Sequence, residues 1–191
     1  MWTRNSDILD GSVKSWHRGL MPESGVNATA AALLGLLHDG PMTGGQLMAE
    51  ADRRLGAYWS MTRSQVYREL PALADMGYVR MGKPWPRSSQ PYSITPAGRR
   101  AFSRWLNEEP AREAVRNPVV LRAAFGNLQT PNTLASAYAE AADYHSQALA
   151  DLRETVKTMK RDGDTFTAAA QEFAIGYHKA VLAWLKTAPT K

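Results

Sequence analysis

The spacing of apolar residues changes several times along the chain, and each change marks an element. Residues 1–26 are polar and aperiodic, with Trp2, Ile8, Leu9, Trp16 and Leu20 scattered among Gly11, Gly19, Pro22 and Gly25. They read either as an arm that docks on a partner subunit or as a frayed terminus. Asn27 is placed to cap a helix over Ala28–Leu37, which is apolar nearly all round and therefore predicted to be buried. His38-Asp39-Gly40-Pro41 ends it. Thr43 opens a second helix with Gln46 at capping-box spacing, Leu47, Ala51 and Leu55 as its apolar stripe, and Gly56 as its stop. A third helix is predicted from a cap at Thr62 to about Met76. Val66, Leu70 and Leu73 face its core, and Ser64, Arg68 and Asp75 lie opposite, with Arg63 and Tyr67 on a flank. Pro71 falls in the exposed row of this helix, where it removes one backbone hydrogen bond at a cost of roughly 3 kcal/mol.

The pattern then turns β-prone. Tyr78–Met81 and Tyr92–Thr95 predict two strands, joined by a Gly-, Ser- and Pro-rich segment over Gly82–Pro91, hence a hairpin with a long tip. Thr95-Pro96 restarts a helix with Phe102, Trp105 and Leu106 as its buried stripe and Arg99, Arg100 and Arg104 on its basic side. Past Pro110, Asn117-Pro118 opens a short helix to about Asn127 carrying Val120, Leu121, Ala124 and Phe125. Thr130-Pro131 opens a long one to about Arg161, on the order of 45 Å at 1.5 Å per residue. Leu134, Tyr138, Ala141, His145, Ala148, Leu152, Val156 and Met159 recur along it at steps of mostly three and four, a coiled-coil seam. Asp162-Gly163-Asp164 breaks it, Thr165 is the expected cap of the last helix, and Phe166, Phe173, Tyr177, Val181, Trp184 and Leu185 repeat in the same way. Such a hairpin packs on its own domain and, in this reading, also on a second subunit, giving a twofold dimer.

Composition sharpens this. The 191 residues carry a net charge of +5 and no cysteine, which excludes disulfides, thiol catalysis and cysteine-ligated metal sites. Residues 1–107 hold 13 Lys/Arg against 8 Asp/Glu, residues 108–191 hold 10 of each, and residues 61–105 alone hold 8 basic against 2 acidic. The excess of positive charge therefore lies on the third helix, the hairpin and the helix after it, as a polyanion-binding surface requires. The longest apolar run, Ala28–Leu37, is too short to span a membrane, and the N-terminal residues lack a signal-peptide pattern, so a cytoplasmic location is expected. His38, His145 and His178 lack metal-motif spacing, and no phosphate loop or catalytic triad is visible, so no metal, no cofactor and no enzyme activity are expected. Trp105 and Trp184 sit on apolar stripes and are expected to pack in cores, whereas Trp59 and Trp85 lie in connections.

The expected fold is mostly α with a β-hairpin wing. It comprises an arm (1–26), a winged helix-turn-helix DNA-binding domain (27–110) and a C-terminal helical dimerisation domain (111–191). The polar residues early in the third helix suit base edges and phosphates in the major groove, and Lys83 and Arg87 at the wing tip suit the backbone or the minor groove. A helical module that uses the winged helix to dock on protein is the alternative. It calls for apolar residues on the exposed face of the third helix, where Ser64, Arg68 and Asp75 stand instead.

From Ala30 to Leu185 the chain also resembles the PadR family of bacterial transcriptional regulators. Leu33-Leu34-Gly35-Leu36-Leu37 with Gly40-Pro41-Met42-Thr43-Gly44 is similar to the family's first helix and turn. Val66-Tyr67-Arg68-Glu69-Leu70-Pro71-Ala72-Leu73, leading into Gly77-Tyr78-Val79, resembles its recognition helix, and Tyr92-Ser93-Ile94-Thr95-Pro96-Ala97-Gly98 with Trp105-Leu106 its second wing strand and following helix. Asn117-Pro118-Val119-Val120-Leu121-Arg122 with Phe125-Gly126, and Gly176-Tyr177-His178 with Trp184-Leu185, resemble the longer-tailed branch. Gly45-Gln46 stands where that family often has glycine followed by tyrosine, and Pro71 replaces a better helix former.

The resemblance implies a homodimeric repressor on an inverted-repeat operator in double-stranded DNA, released by a small aromatic or amphiphilic effector. Expected DNA-contacting residues are Thr43, Gln46, Thr62, Arg63, Ser64, Gln65, Tyr67, Arg68, Lys83 and Arg87. Expected dimer residues are Leu134, Tyr138, Ala141, His145, Leu152, Phe173, Tyr177, Val181 and Trp184. The effector site has no expected position.

Overall fold

The computed structural model describes residues 25–83, 90–110 and 115–190. Its elements are α1 (Ala28–Leu36), β1 (Met42–Thr43), α2 (Gly44–Leu55), α3 (Arg63–Asp75), β2 (Val79–Met81), β3 (Pro91–Ile94), α4 (Pro96–Asn107), α5 (Pro118–Ala124), α6 (Pro131–Arg161) and α7 (Thr165–Leu185). Single 3₁₀ turns follow α1 at Leu37–Asp39 and α5 at Gly126–Leu128. Contacts divide the chain into two compact units. The first is Met1–Leu47 with Arg63–Glu109, and the second is Met48–Thr62 with Pro110–Lys191. One break falls between Glu109 and Pro110, and residues 48–62 cluster with the C-terminal helices. One cause is a bond far apart in sequence: the Gln171 amide donates to the Arg54 carbonyl at 2.9 Å.

In the first unit α1 is the central helix. Its Asn27 cap accepts from the Ala30 amide at 2.9 Å, and Ala30, Ala31, Leu33, Leu34 and Leu36 are buried. Leu37, Leu47, Val66, Leu70 and Leu73 complete the core. Pro71 lies inside α3 on its exposed side. The hairpin gains a strand that periodicity did not reveal, since β1 pairs antiparallel with β3 through Met42 opposite Tyr92, giving a sheet of order β1-β3-β2. Two residues are too short to show a period of two. On α4 the expected buried stripe is corrected. Phe102 and Trp105 are half-buried, Leu106 is 61% exposed, and the buried residues are Gly98 and Ala101. Close packing at small residues explains this, because an added Cβ on Gly35 would lie 3.1 Å from the Phe102 ring.

In the second unit α6 and α7 pack as an antiparallel hairpin, turned by Gly163 in the left-handed region (φ 82°). Asp164, not Thr165, caps α7, accepting from the Thr167 amide at 3.3 Å. Val119, Leu134 and Tyr138 form one buried cluster with Trp184 and Leu185 against it, and Val156, Met159 and Ala168 form another. The short helix α5 buries Val119, while Val120, Leu121 and Phe125 are exposed. Among the described residues no helix is long and apolar enough to cross a membrane.

Candidate nucleic-acid interface

The start of α2 is built by a reciprocal capping box. The Thr43 amide donates to Gln46 Oε1 at 2.9 Å and the Gln46 amide to Thr43 Oγ1 at 3.3 Å. Thr43 and Gln46 are thus first of all the cap, with Gln46 exposed beside it. Over the same turn lies the Tyr67 ring: a Cβ on Gly44 would stand 3.1 Å from it. The tyrosine covers a backbone glycine yet remains half exposed, so one side chain both packs α3 on α2 and shows a phenol to solvent.

Arg63, Ser64, Tyr67 and Arg68 are exposed along the first half of α3, Thr62 is exposed just ahead of it, and Gln65 is half-buried. Arg68 leans on Glu69 at 3.2 Å, and Glu69, nearly buried, accepts from the Asn27 side-chain amide at 3.1 Å. This chain links the cap of α1 to a cation on α3 whose side chain stays largely exposed. Sequence reasoning gave Glu69 no role; its position beside the buried Val66 and Leu70 on an otherwise basic helix was the available signal. Lys83 is exposed just past β2, while Arg87 and Trp85 lie outside the described residues. Arg80, Arg99, Arg100 and Arg104 are exposed as well, so the exposed side chains of this unit are rich in cations; of the two acids on α3, Glu69 is turned inward and Asp75 is exposed at the helix end.

The wing is fixed to α4 by Thr95. Its hydroxyl donates to the Gly77 carbonyl at 2.7 Å and accepts from the Gly98 amide at 3.1 Å, capping α4 across the base of the hairpin.

The expected dimer residues are placed differently from the DNA set. Leu134, Tyr138, His145, Leu152 and Val181 are buried between α6 and α7 of one chain, Ala141, Tyr177 and Trp184 are half-buried there, and Phe173 is 63% exposed. Periodicity shows that a face is covered, not by what. His145 is no apolar seam residue. Its Nδ1 lies 2.7 Å from Nδ1 of His178 on α7, flanked by the rings of Tyr144 and Tyr177. A single proton bridges the two nitrogens, so at least one ring is neutral. Burial holds both rings below the ordinary value of 6.5, and His178 adds to the effect on His145. The unfolded chain therefore takes up protons below about pH 6.5 that the folded chain refuses, and stability present above that pH is lost as pH falls. Melting followed by circular dichroism at pH 7.5 and 5.5 should show a lower midpoint in acid. His178→Gln should reduce that dependence and His145→Gln with His178→Gln should remove most of it; an unchanged dependence in the double variant would remove the pair as its source.

A helix-turn-helix whose second helix presents cations, followed by a hairpin wing and a helical extension, defines a winged-helix transcriptional regulator. Residues 33–104 match the transcriptional regulator PadR-like family, and residues 115–190 match the C-terminal region described as virulence activator alpha. Residues 33–104 of the chain thus carry a PadR-like family domain. The negative transcriptional regulator PadR of Bacillus subtilis (strain 168) is 23% identical over 168 residues, 82% of this chain and 92% of that protein. The crystal structure of that PadR in complex with operator DNA has a TM-score of 0.71 at 23% identity, covering 84% of this chain and 96% of that one. Its complex with p-coumaric acid has a TM-score of 0.64 at 22% identity over 84% and 94%. The Vibrio cholerae virulence activator AphA has a TM-score of 0.67 at 20% identity over 84% and 95%. These structures establish a shared fold.

Proposed function

We propose that this PadR-type regulator is a homodimeric repressor that binds an inverted-repeat operator and is released by a small aromatic or amphiphilic effector. The observation that carries the DNA reading is the exposed first half of α3, where Arg63, Ser64, Tyr67 and Arg68 stand together and Arg68 pairs with Glu69. Thr43, Gln46, Thr62, Gln65, Lys83 and Arg87 are proposed as further contacts. The relative named a negative regulator, seen with operator DNA and with p-coumaric acid, supports the repressor and effector parts. The dimer reading keeps the expected set and adds two exposed apolar patches, Leu121, Phe125 and Leu128 at α5 and Phe166 with Phe173 on α7, since exposed apolar patches mark protein contacts.

Fluorescence anisotropy tests the reading, with the DNA upstream of the protein's own gene as probe and a shuffled sequence as control. Specific binding to the upstream DNA is expected, and Arg63→Ala or Arg68→Ala should each cost about 1–3 kcal/mol on the operator. Equal binding to both DNAs, or none at low salt, would overturn it.

A further inference from the structure

The second unit contains a cleft of about 310 Å³ among the end of α2, the middle of α6 and the middle of α7. This volume lies at the lower end for small-molecule sites and suits one aromatic ring with a short polar arm. Ala148, Leu152 and the Tyr144 side chain supply apolar and aromatic wall. The charged groups on the lining are Asp52, Arg53 and Asp151.

The single lining arginine is already engaged. Arg53 donates through Nε to Glu50 Oε2 at 3.0 Å, and its second bond goes to the other oxygen of the same carboxylate. Arg54 leans on Glu50 too, at 3.9 Å. Asp151 accepts from the Gln147 amide at 2.9 Å, a neutral donor, and neither Asp151 nor Asp52 meets a cation among the described residues. Among the described residues the cleft lining therefore carries two exposed carboxylates, and its one cation is already committed to Glu50.

Its inner wall carries an orphan acceptor. Gln171 is 1% exposed, and its Nε2 is fixed by the bond to the Arg54 carbonyl, which sets the orientation of the amide. The other end of that amide, Oε1, has no hydrogen-bond partner. A buried carbonyl without a donor is uncommon, and this one belongs to a residue that lines the cleft. His178 also lines the cleft, with its Nδ1 already bonded to His145.

We infer that the effector cleft of this chain takes a small aromatic or amphiphilic amine rather than an aromatic acid, with a neutral donor such as a phenol O–H meeting Gln171 Oε1 and the ammonium facing Asp52 and Asp151. This rests on the effector reading above and names the ligand class. The acid that one relative is seen with would bring a carboxylate toward two carboxylates, at a site whose arginine is neutralised by Glu50.

Calorimetric titration of the full chain with tyramine and with p-coumaric acid tests it, because the two share a phenol and differ in the sign of the arm. Tyramine should bind at least tenfold tighter. The double substitution Asp52→Asn with Asp151→Asn, both on exposed side chains, should cut that preference about tenfold. Gln171→Met should weaken tyramine further, and the double variant decides the matter if that buried substitution fails to fold. Equal or tighter binding of p-coumaric acid, tyramine binding indifferent to the two Asn substitutions, or no binding of tyramine would each overturn the inference. Operator titrations in parallel separate the two readings. If the operator is bound and p-coumaric acid alone releases it, the regulator reading stands and the ligand class falls. If the operator is not bound, the regulator reading falls, and the ligand titrations still decide the inference.

Discussion

Raising salt from 50 to 200 mM should weaken operator binding by about a thousandfold. If a dimer neutralises about six phosphates, the slope of log affinity against log salt is roughly −5, because each contact releases close to one condensed counterion. The residues that supply such contacts are exposed on the first unit: Arg63 and Arg68 on α3, Arg80 and Lys83 at the wing, and Arg99, Arg100 and Arg104 on α4. Their contributions should separate. Removing a side chain that reaches a base edge relaxes sequence preference, whereas removing a phosphate contact, which a dimer loses from both protomers, weakens all sequences alike and lowers the slope by about two units. Anisotropy titrations at four salt concentrations on operator and shuffled DNA provide both readouts. A slope near zero would mean that the cationic surface of this unit does not face DNA.

Gly98→Ala should be the most damaging alanine substitution among the described glycines. An ideal Cβ at Gly98 would lie 2.1 Å from the Tyr78 carbonyl oxygen and 3.0 Å from Ile94 Cγ1. That carbonyl cannot yield, because it accepts from the Thr95 amide at 3.0 Å and lies beside the Thr95 hydroxyl. The close approach is what lets the base of the hairpin sit on the first turn of α4. Separating them breaks the Thr95 cap together with the contact. Overpacking of this kind costs about 3 kcal/mol or more where backbone blocks relief. At roughly 4–8 °C per kcal/mol for a unit of this size, the midpoint should fall by well over 10 °C. Gly45→Ala is the control. It lies near the start of α2, an added Cβ meets only Thr43 Oγ1 at 4.0 Å, and better helix propensity should leave it neutral or up to about 1 kcal/mol more stable. Thermal melts of the two variants side by side check both; a Gly98→Ala protein with an unchanged midpoint would show that the hairpin can slide on α4.

The same glycine shows how the family resemblance becomes physics. Tyr92-Ser93-Ile94-Thr95-Pro96-Ala97-Gly98 is recognisable as a string, but the reason for its spacing is spatial. Thr95 stands three residues before the amide it caps, and Gly98 is the residue that the Tyr78 carbonyl touches.

What the chain determined by itself is whatever depends on neighbours within about four residues. The caps at Asn27, Thr43, Thr95, Asn117 and Thr130 are read directly from short side chains followed by helix formers, and each makes the expected backbone bond. The buried α1, the core face of α3 and the lengths of α6 and α7 follow from period and breakers, because a helix repeats locally. Tertiary structure decided which surface covers each apolar face. Leu134, Tyr138, Leu152 and Val181 are covered by the facing helix of the same chain, and His145 meets His178 across 33 residues. Met42 pairs with Tyr92, Glu69 reaches Asn27, and Gln171 reaches Arg54. A periodic pattern specifies that a side chain must leave water, but the free energy of burial is indifferent to the partner's place in the sequence. Partners far along the chain, and the cleft they enclose, come into being only when the helices pack.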